Sequence, residues 1–190
     1  MVEIDSSIAD HDCPVTGGLG GVGSEIVTAI LESGGDVICF DLPREVNVGE
    51  LPLQPDISPT TKSLDVEKFH DTAKVNETRY IYCPVNVTDG DEISKSLEAV
   101  ISLTRFPLRG VVTCAGISGE VDAADYPPEA FRKLLDINIM GTFLPVQAAG
   151  RVMQKQKSSG SVILVASISG HVSNKAFPYS LPQFNVSDVK

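Results

Sequence analysis

Residues 16–23 read Thr16-Gly17-Gly18-Leu19-Gly20-Gly21-Val22-Gly23. The stretch stands between a short apolar segment and a run with helical spacing. Gly17, Gly21 and Gly23 are the glycines whose spacing matters. A loop bearing them can turn tightly, bring backbone close to a pyrophosphate, and let the next helix pack on a sheet. The helix start then offers N–H groups and a positive dipole end to phosphate, met at the loop by Leu19 and Val22. An ordinary strand-to-helix turn would use the same glycines, so the flanks have to decide.

Downstream, Val22, Ile26, Val27, Ile30 and Leu31 recur on one helical face, and Gly34-Gly35 closes the helix. Val37-Ile38-Cys39-Phe40 reads as a buried strand ending in Asp41. An acid at that strand end is placed to accept from the hydroxyls of an adenosine ribose. Its charge also repels a 2′-phosphate. NAD is therefore favoured, and Arg44 keeps NADP within reach.

The rest of the chain repeats the alternation. Tyr80–Cys83 is a third strand, and Thr88 or Asp89 caps a helix with Ile93, Leu97, Val100 and Ile101 on one face. Val111–Cys114 is a fourth strand, ending in the small residues Ala115-Gly116. Pro127-Pro128-Glu129 opens a long helix with a stripe of Phe131, Leu134, Leu135, Ile139, Phe143 and Val146, and Asn138 lies within it. Ser161–Ala166 is a fifth strand, with Ser167 just beyond. Alternating strands and helices predict an α/β fold, a doubly wound parallel sheet of the Rossmann type. Its ligands collect at the carboxyl ends of the strands, where the glycine loop, Asp41, Ala115-Gly116 and Ser167 all fall.

Two segments fit this pattern badly. Residues 1–12 read as a loose lead, and Pro14 is a poor residue for a central strand. Residues 42–78, with Pro43, Pro52, Pro55 and Pro59, read as a surface insertion carrying a short helix near Val66–Lys74 at best. The 190 residues otherwise suit a single domain.

A net charge of −10 argues against nucleic acid and anionic membrane surfaces as partners. No apolar run is long enough to span a bilayer. The acidic start lacks a signal-peptide pattern. Cys13, Cys39, Cys83 and Cys114 lie far apart, as free thiols in a reducing compartment would, which gives a cytoplasmic reading. No Cys/His spacing suggests a metal.

From Pro14 to Ser180 the chain resembles the short-chain dehydrogenases/reductases. Thr16–Gly23 fits that family's TGxxxGxG. Thr113-Cys114-Ala115-Gly116 resembles its NNAG, with both asparagines replaced. Asn138 matches its helix asparagine, and Gly160–Gly170 looks like the strand and turn carrying the serine, at Ser167. Tyr179 lies twelve positions later, where the family tyrosine is expected. The finer likeness is to fungal polyol and sugar-alcohol dehydrogenases of the arabinitol or sorbose-reductase type.

The resemblance implies hydride transfer between NAD and a secondary alcohol or ketone, a polyol or sugar. Ser167 and Tyr179 would hold the reacting oxygen, and Asn138 a water chain. Asn86, followed by Val87, matches an aspartate beside the adenine, keeping one acceptor without the charge. The family's YxxxK is broken, because Gln183 stands at the lysine position. A tyrosine ordinarily titrates near pH 10, so acting as a base near neutrality takes about 4 kcal/mol of help, which a neutral Gln does not supply. Residues 181–190 read as an atypical tail, and the fold as incomplete at the C-terminus, in a truncated or mis-spliced form. The family's members are often homo-oligomers, joined by the helix around Asn138 and the helix that carries the tyrosine. Loss of the latter would expose apolar surface. Two other readings stand beside the enzyme: a non-catalytic dinucleotide-binding fragment, and a nucleotide-sugar epimerase or reductase of the extended type.

Overall fold

The computed structural model describes residues 8–42, 64–118 and 125–167. Five strands form one parallel sheet in the order β3-β2-β1-β4-β5. They are β1 (Asp12–Thr16), β2 (Asp36–Asp41), β3 (Tyr80–Pro84), β4 (Gly110–Thr113) and β5 (Ser161–Leu164). The chain moves one way across the sheet from β1 to β3, then returns to the other side of β1 for β4 and β5. The order thus reverses at β1, and the crevice between the β1 and β4 ends is where ligands of such sheets lie. The predicted α/β fold is the one observed.

Helices cover both faces. α1 (Gly21–Glu32) and α2 (Leu64–Val75) lie on one, where Val27, Ile30, Leu31 and Phe69 pack with Val15, Val37, Cys39 and Tyr80. α3 (Gly90–Ile101) and α5 (Gly141–Gln156) lie on the other, where Ile93, Leu97, Ala149 and Met153 pack with Ile38, Phe40 and Val111. The strands are apolar on both sides because both sides are covered. Asp89 caps α3 by accepting from the Asp91 and Glu92 N–H groups.

Four differences from the sequence reading have physical causes. Pro14 does sit in the central strand. β1 runs unbroken beside β2 from Asp12↔Asp36 to Thr16↔Phe40. On the β4 side a bridge joins Asp12 to Leu108, and the ladder resumes only at Val15↔Val112. That side carries one extra residue, a bulge opposite the proline. Asp12 exchanges its own backbone bonds with Pro107 and Arg109 on that side. Two residues on, Pro14 therefore turns its missing N–H to the same side, where the bulge asks for none.

Residues 8–12 are not all loose lead. Ile8 packs against the core and Asp12 is buried. The short helix expected near Val66–Lys74 is α2, yet residues 64–78 are not a surface excursion, because α2 buries Phe69 completely and Phe69 packs on Tyr80. The prolines of residues 43–63 lie outside the described residues, as do the tail and Tyr179.

The long helix is also divided. α4 (Pro128–Leu135) passes through a π turn at Asp136–Met140 into α5. Gly141 donates to the Asp136 carbonyl, five residues back, and Pro145 has no N–H to give Gly141. The extra residue rotates the buried face to Gly141, Pro145, Ala148, Ala149 and Met153. Phe143 is consequently exposed rather than part of the stripe. Met140, Val162 and Ile163 are exposed as well, so apolar surface lies open on this helix and on the edge strand.

Candidate functional site

The glycine loop is built by close backbone approach. The Gly17 N–H donates to the Phe40 carbonyl at 2.8 Å, extending the β1–β2 ladder by one residue. Gly17 has φ +65°, and a Cβ there would lie 2.7 Å from Ala115 backbone atoms. A Cβ on Gly23 would meet the Gly17 carbonyl oxygen at 2.0 Å. Those two positions tolerate no side chain. Gly21 differs: a Cβ there would find nothing within 4 Å. Packing places no demand on Gly21, so its backbone faces open space at the start of α1. Gly20 gives that helix no side-chain cap, and its first turn has no acidic residue. The N–H groups there suit an anion. Val22 is exposed beside them, whereas Leu19 is buried.

Asp41 closes the loop from below. Its Oδ2 accepts from the Leu19 N–H at 2.9 Å and its Oδ1 from the Leu42 N–H at 2.8 Å. Burial pushes the carboxyl above the usual range, and the two N–H donors offset part of that rise. Each oxygen retains acceptor capacity for a diol.

At the β4 end, Ala115 donates its N–H to the Thr16 hydroxyl at 3.3 Å, and Cys114 donates to the Thr16 carbonyl at 3.0 Å. Thr16 therefore ties the glycine loop to Ala115-Gly116. Asn138 grips the next residue at two points. Its Oδ1 accepts from the Ile117 N–H and its Nδ2 donates to the Ile117 carbonyl, both at 2.8 Å. The π turn brings this amide to the end of β4, and a Cβ on Gly116 would lie 3.2 Å from Oδ1. The Thr142 hydroxyl donates to the Asn138 carbonyl at 2.8 Å.

Asn86 departs from its expected part. Its Oδ1 accepts from both the N–H and the hydroxyl of Thr88, at 3.1 and 2.8 Å. The acceptor is thus spent inside the loop, and the amide N–H₂ is what faces outward. Glu92 reaches back to accept from the Asn86 N–H at 2.9 Å, while the Asp89 N–H donates to the Asn86 carbonyl at 2.9 Å. Val87 is buried beneath Gly141, where a Cβ would lie 2.7 Å from its Cγ2. Ser167 is exposed just past β5, at the same edge of the sheet. Tyr179 and Gln183 fall outside the described residues.

Sequence reasoning passed over Thr16 and Thr113 as site residues. Thr113 is buried at the β4 end with its hydroxyl unpartnered. The register Thr16↔Thr113 puts the two side chains on one face.

Comparison with known proteins agrees with this fold. The short chain dehydrogenase family model matches residues 58–180. The chain belongs to the short-chain dehydrogenase family. It is 38% identical over 161 residues to the short-chain dehydrogenase/reductase notP′ of Aspergillus versicolor, covering 85% of this chain and 50% of the relative. It is 23% identical over 175 residues to the ribulose-forming D-arabinitol 2-dehydrogenase of Candida tropicalis, covering 91% and 58%. A short-chain dehydrogenase from Mycobacterium paratuberculosis, solved bound to NAD, superposes with a TM-score of 0.75 at 25% identity, covering 93% and 63%. The chain thus spans about half to two thirds of the length of these proteins. Among the described residues no helix is long and apolar enough to cross a membrane.

Proposed function

We propose that the chain binds NAD at the carboxyl edge of the sheet and belongs to an oxidoreductase acting on a secondary alcohol or its ketone. The observation that carries this is Asp41, anchored by the Leu19 N–H under a loop whose Gly21 faces open space. Bound NAD would supply the hydride acceptor. Gly17, Leu19, Gly21, Val22 and Gly23 line the pyrophosphate, and Asp41 accepts from the ribose hydroxyls. Asn86 and Val87 flank the adenine, with the Asn86 amide donating rather than accepting. Ala115 and Gly116 leave room for the nicotinamide half. Ser167 donates to the substrate oxygen, Tyr179 exchanges its proton, and Asn138 positions water for release of that proton. The likeness to arabinitol dehydrogenase supports a polyol or sugar as substrate. The greater likeness to notP′ leaves that class open to other secondary alcohols. Homo-oligomers would form through the helix face that exposes Met140 and Phe143.

Gln183 favours a second reading, a dinucleotide-binding protein without turnover. Calorimetry with NAD and NADP tests binding, and NADH production over a panel of polyols tests turnover. Binding of NAD without NADH production by the wild type, with turnover appearing in Gln183→Lys, selects the second reading. Absence of NAD binding overturns both.

A further inference from the structure

At the opposite edge of the sheet, far from the glycine loop, two aspartates face each other across strands. Asp12 begins β1, Asp36 begins β2, and the register pairs them directly. Both are buried, at 1% and 2% exposure. Like charges so placed repel, and burial adds to the cost.

Their partners are divided unequally. Asp36 takes the fork of Arg105, with Nε donating to Oδ2 at 2.8 Å and the Nη2–Oδ1 contact shorter still, and it accepts from the Arg79 N–H at 2.8 Å. Among the described residues no guanidinium is bonded to Asp12. Its Oδ2 accepts from the Phe106 N–H at 2.8 Å, and its backbone is bonded to Pro107 and Arg109. Arg105 stacks on the Phe106 ring. The segment 105–109, which leads into β4, is thus fastened to β1 and β2 through these two carboxylates.

Other charged groups frame the pair. Arg79 lies before β3, with its guanidinium donating to the Leu103 carbonyl, and Arg105 also reaches the Glu77 carbonyl. Asp10 acts on Arg105 through space. His11 precedes Asp12 and is bonded through Nδ1 to the Ala9 carbonyl. Arg109 ends the fastened segment.

We propose that this cluster is a proton-operated clasp, in which a proton on Asp12 holds residues 105–109 against the amino edge of the sheet and its loss loosens them. The physical basis is linkage. Burial above all, then the facing Asp36 charge, raises the Asp12 carboxyl from its ordinary value to about 6, against the pull of the Phe106 N–H and of Arg105 and Arg79. Desolvation is the largest of these causes, so an opening that wets the Asp12 carboxyl removes more than the lost Phe106 and Arg105 contacts restore, and the closed arrangement takes up a proton that the open one releases. Lower pH shifts the balance toward closure. The clasp is independent of the cofactor reading.

The test is amide hydrogen exchange of the full chain, corrected for intrinsic rates. Between about pH 7.5 and about pH 5, protection of the Phe106 N–H should rise about tenfold, while Leu97 in α3 changes less. Asp12→Asn, whose amide oxygen still accepts from Phe106, should be protected throughout and lose the pH response. Asp36→Asn, which strips Arg105 of its carboxylate, should loosen Phe106 at every pH. A pH-independent Phe106, an unchanged response in Asp12→Asn, or an equal response at every amide would each overturn the clasp.

Discussion

The Leu19 amide donates to Oδ2 of Asp41 at 2.9 Å, so the residue placed to read the ribose also fixes the loop that receives the phosphates. Asp41→Ala should therefore show two losses. Removing a half-buried acceptor that holds the Leu19 N–H and the exposed Leu42 N–H should lower stability by about 1 kcal/mol. NAD affinity should fall by at least about tenfold, as expected for lost charge-assisted hydrogen bonds. NADP affinity should fall less, since the charge that repels a 2′-phosphate goes too. Calorimetry with both dinucleotides and a thermal melt separate the effects. Equal losses for NAD and NADP would remove Asp41 from cofactor choice.

The loop glycines should divide sharply. Gly23→Ala places a methyl 2.0 Å from the Gly17 oxygen, which only a backbone shift can relieve. It should cost about 3 kcal/mol or more and disturb the fold. Gly21→Ala meets nothing and sits in a helix, so stability should hold or rise by up to about 1 kcal/mol. The same methyl stands where a phosphate would approach, so NAD binding should weaken without loss of fold. Unchanged NAD binding by Gly21→Ala would place the pyrophosphate elsewhere.

Asn138→Ala should cost about 2–3 kcal/mol, because it strands the N–H and C=O of Ile117 together. Exchange at the Ile117 amide should rise, and Asn138→Asp, which keeps the acceptor alone, should fall between. Loss of activity in Asn138→Asp at unchanged melting temperature would assign Asn138 more than a fastening role.

Stability should rise as the solution is acidified from about pH 8 to about pH 5. Asp12 and Asp41 both hold protons more tightly in the folded chain than the unfolded chain does, through burial. The stabilisation from Asp12 is complete below its ordinary value of 3.8 and is lost as pH rises through about 6. At full extent it is roughly 3 kcal/mol. Denaturant titrations in that window should show the slope, and Asp12→Asn should flatten it. A stability maximum at neutral pH in the wild type would contradict the burial argument.

Much of this was legible in the chain. The glycine spacing, the acid after Phe40 and the alternation of apolar runs give the parallel sheet and the edge where the candidate site lies. What could not be read has two causes: tertiary contacts between segments distant in sequence, and local competition for backbone and side-chain hydrogen bonds. Pro14 looks wrong for a central strand until the bulge between Leu108 and Val112 shows where its missing donor points. Phe69 looks like part of a polar excursion until Tyr80 lies against it. The stripe through Phe143 follows an unbroken 3.6-residue period, which the π turn interrupts. Asn86 keeps its place in the pattern, yet Thr88 consumes its acceptor, a local competition that residue identity alone does not reveal.

The tight seat of Gly18 has one more consequence. A Cβ on Gly18 would lie 2.6 Å from the Cys39 sulfur, so the loop rests directly on that thiol. Cys39 has no exposed surface, and burial holds its thiol proton to about pH 12. A thiol reagent can reach it only when the loop lifts away. The rate of Cys39 alkylation is therefore a built-in clock for loop opening, and a ligand that stills the loop should slow it.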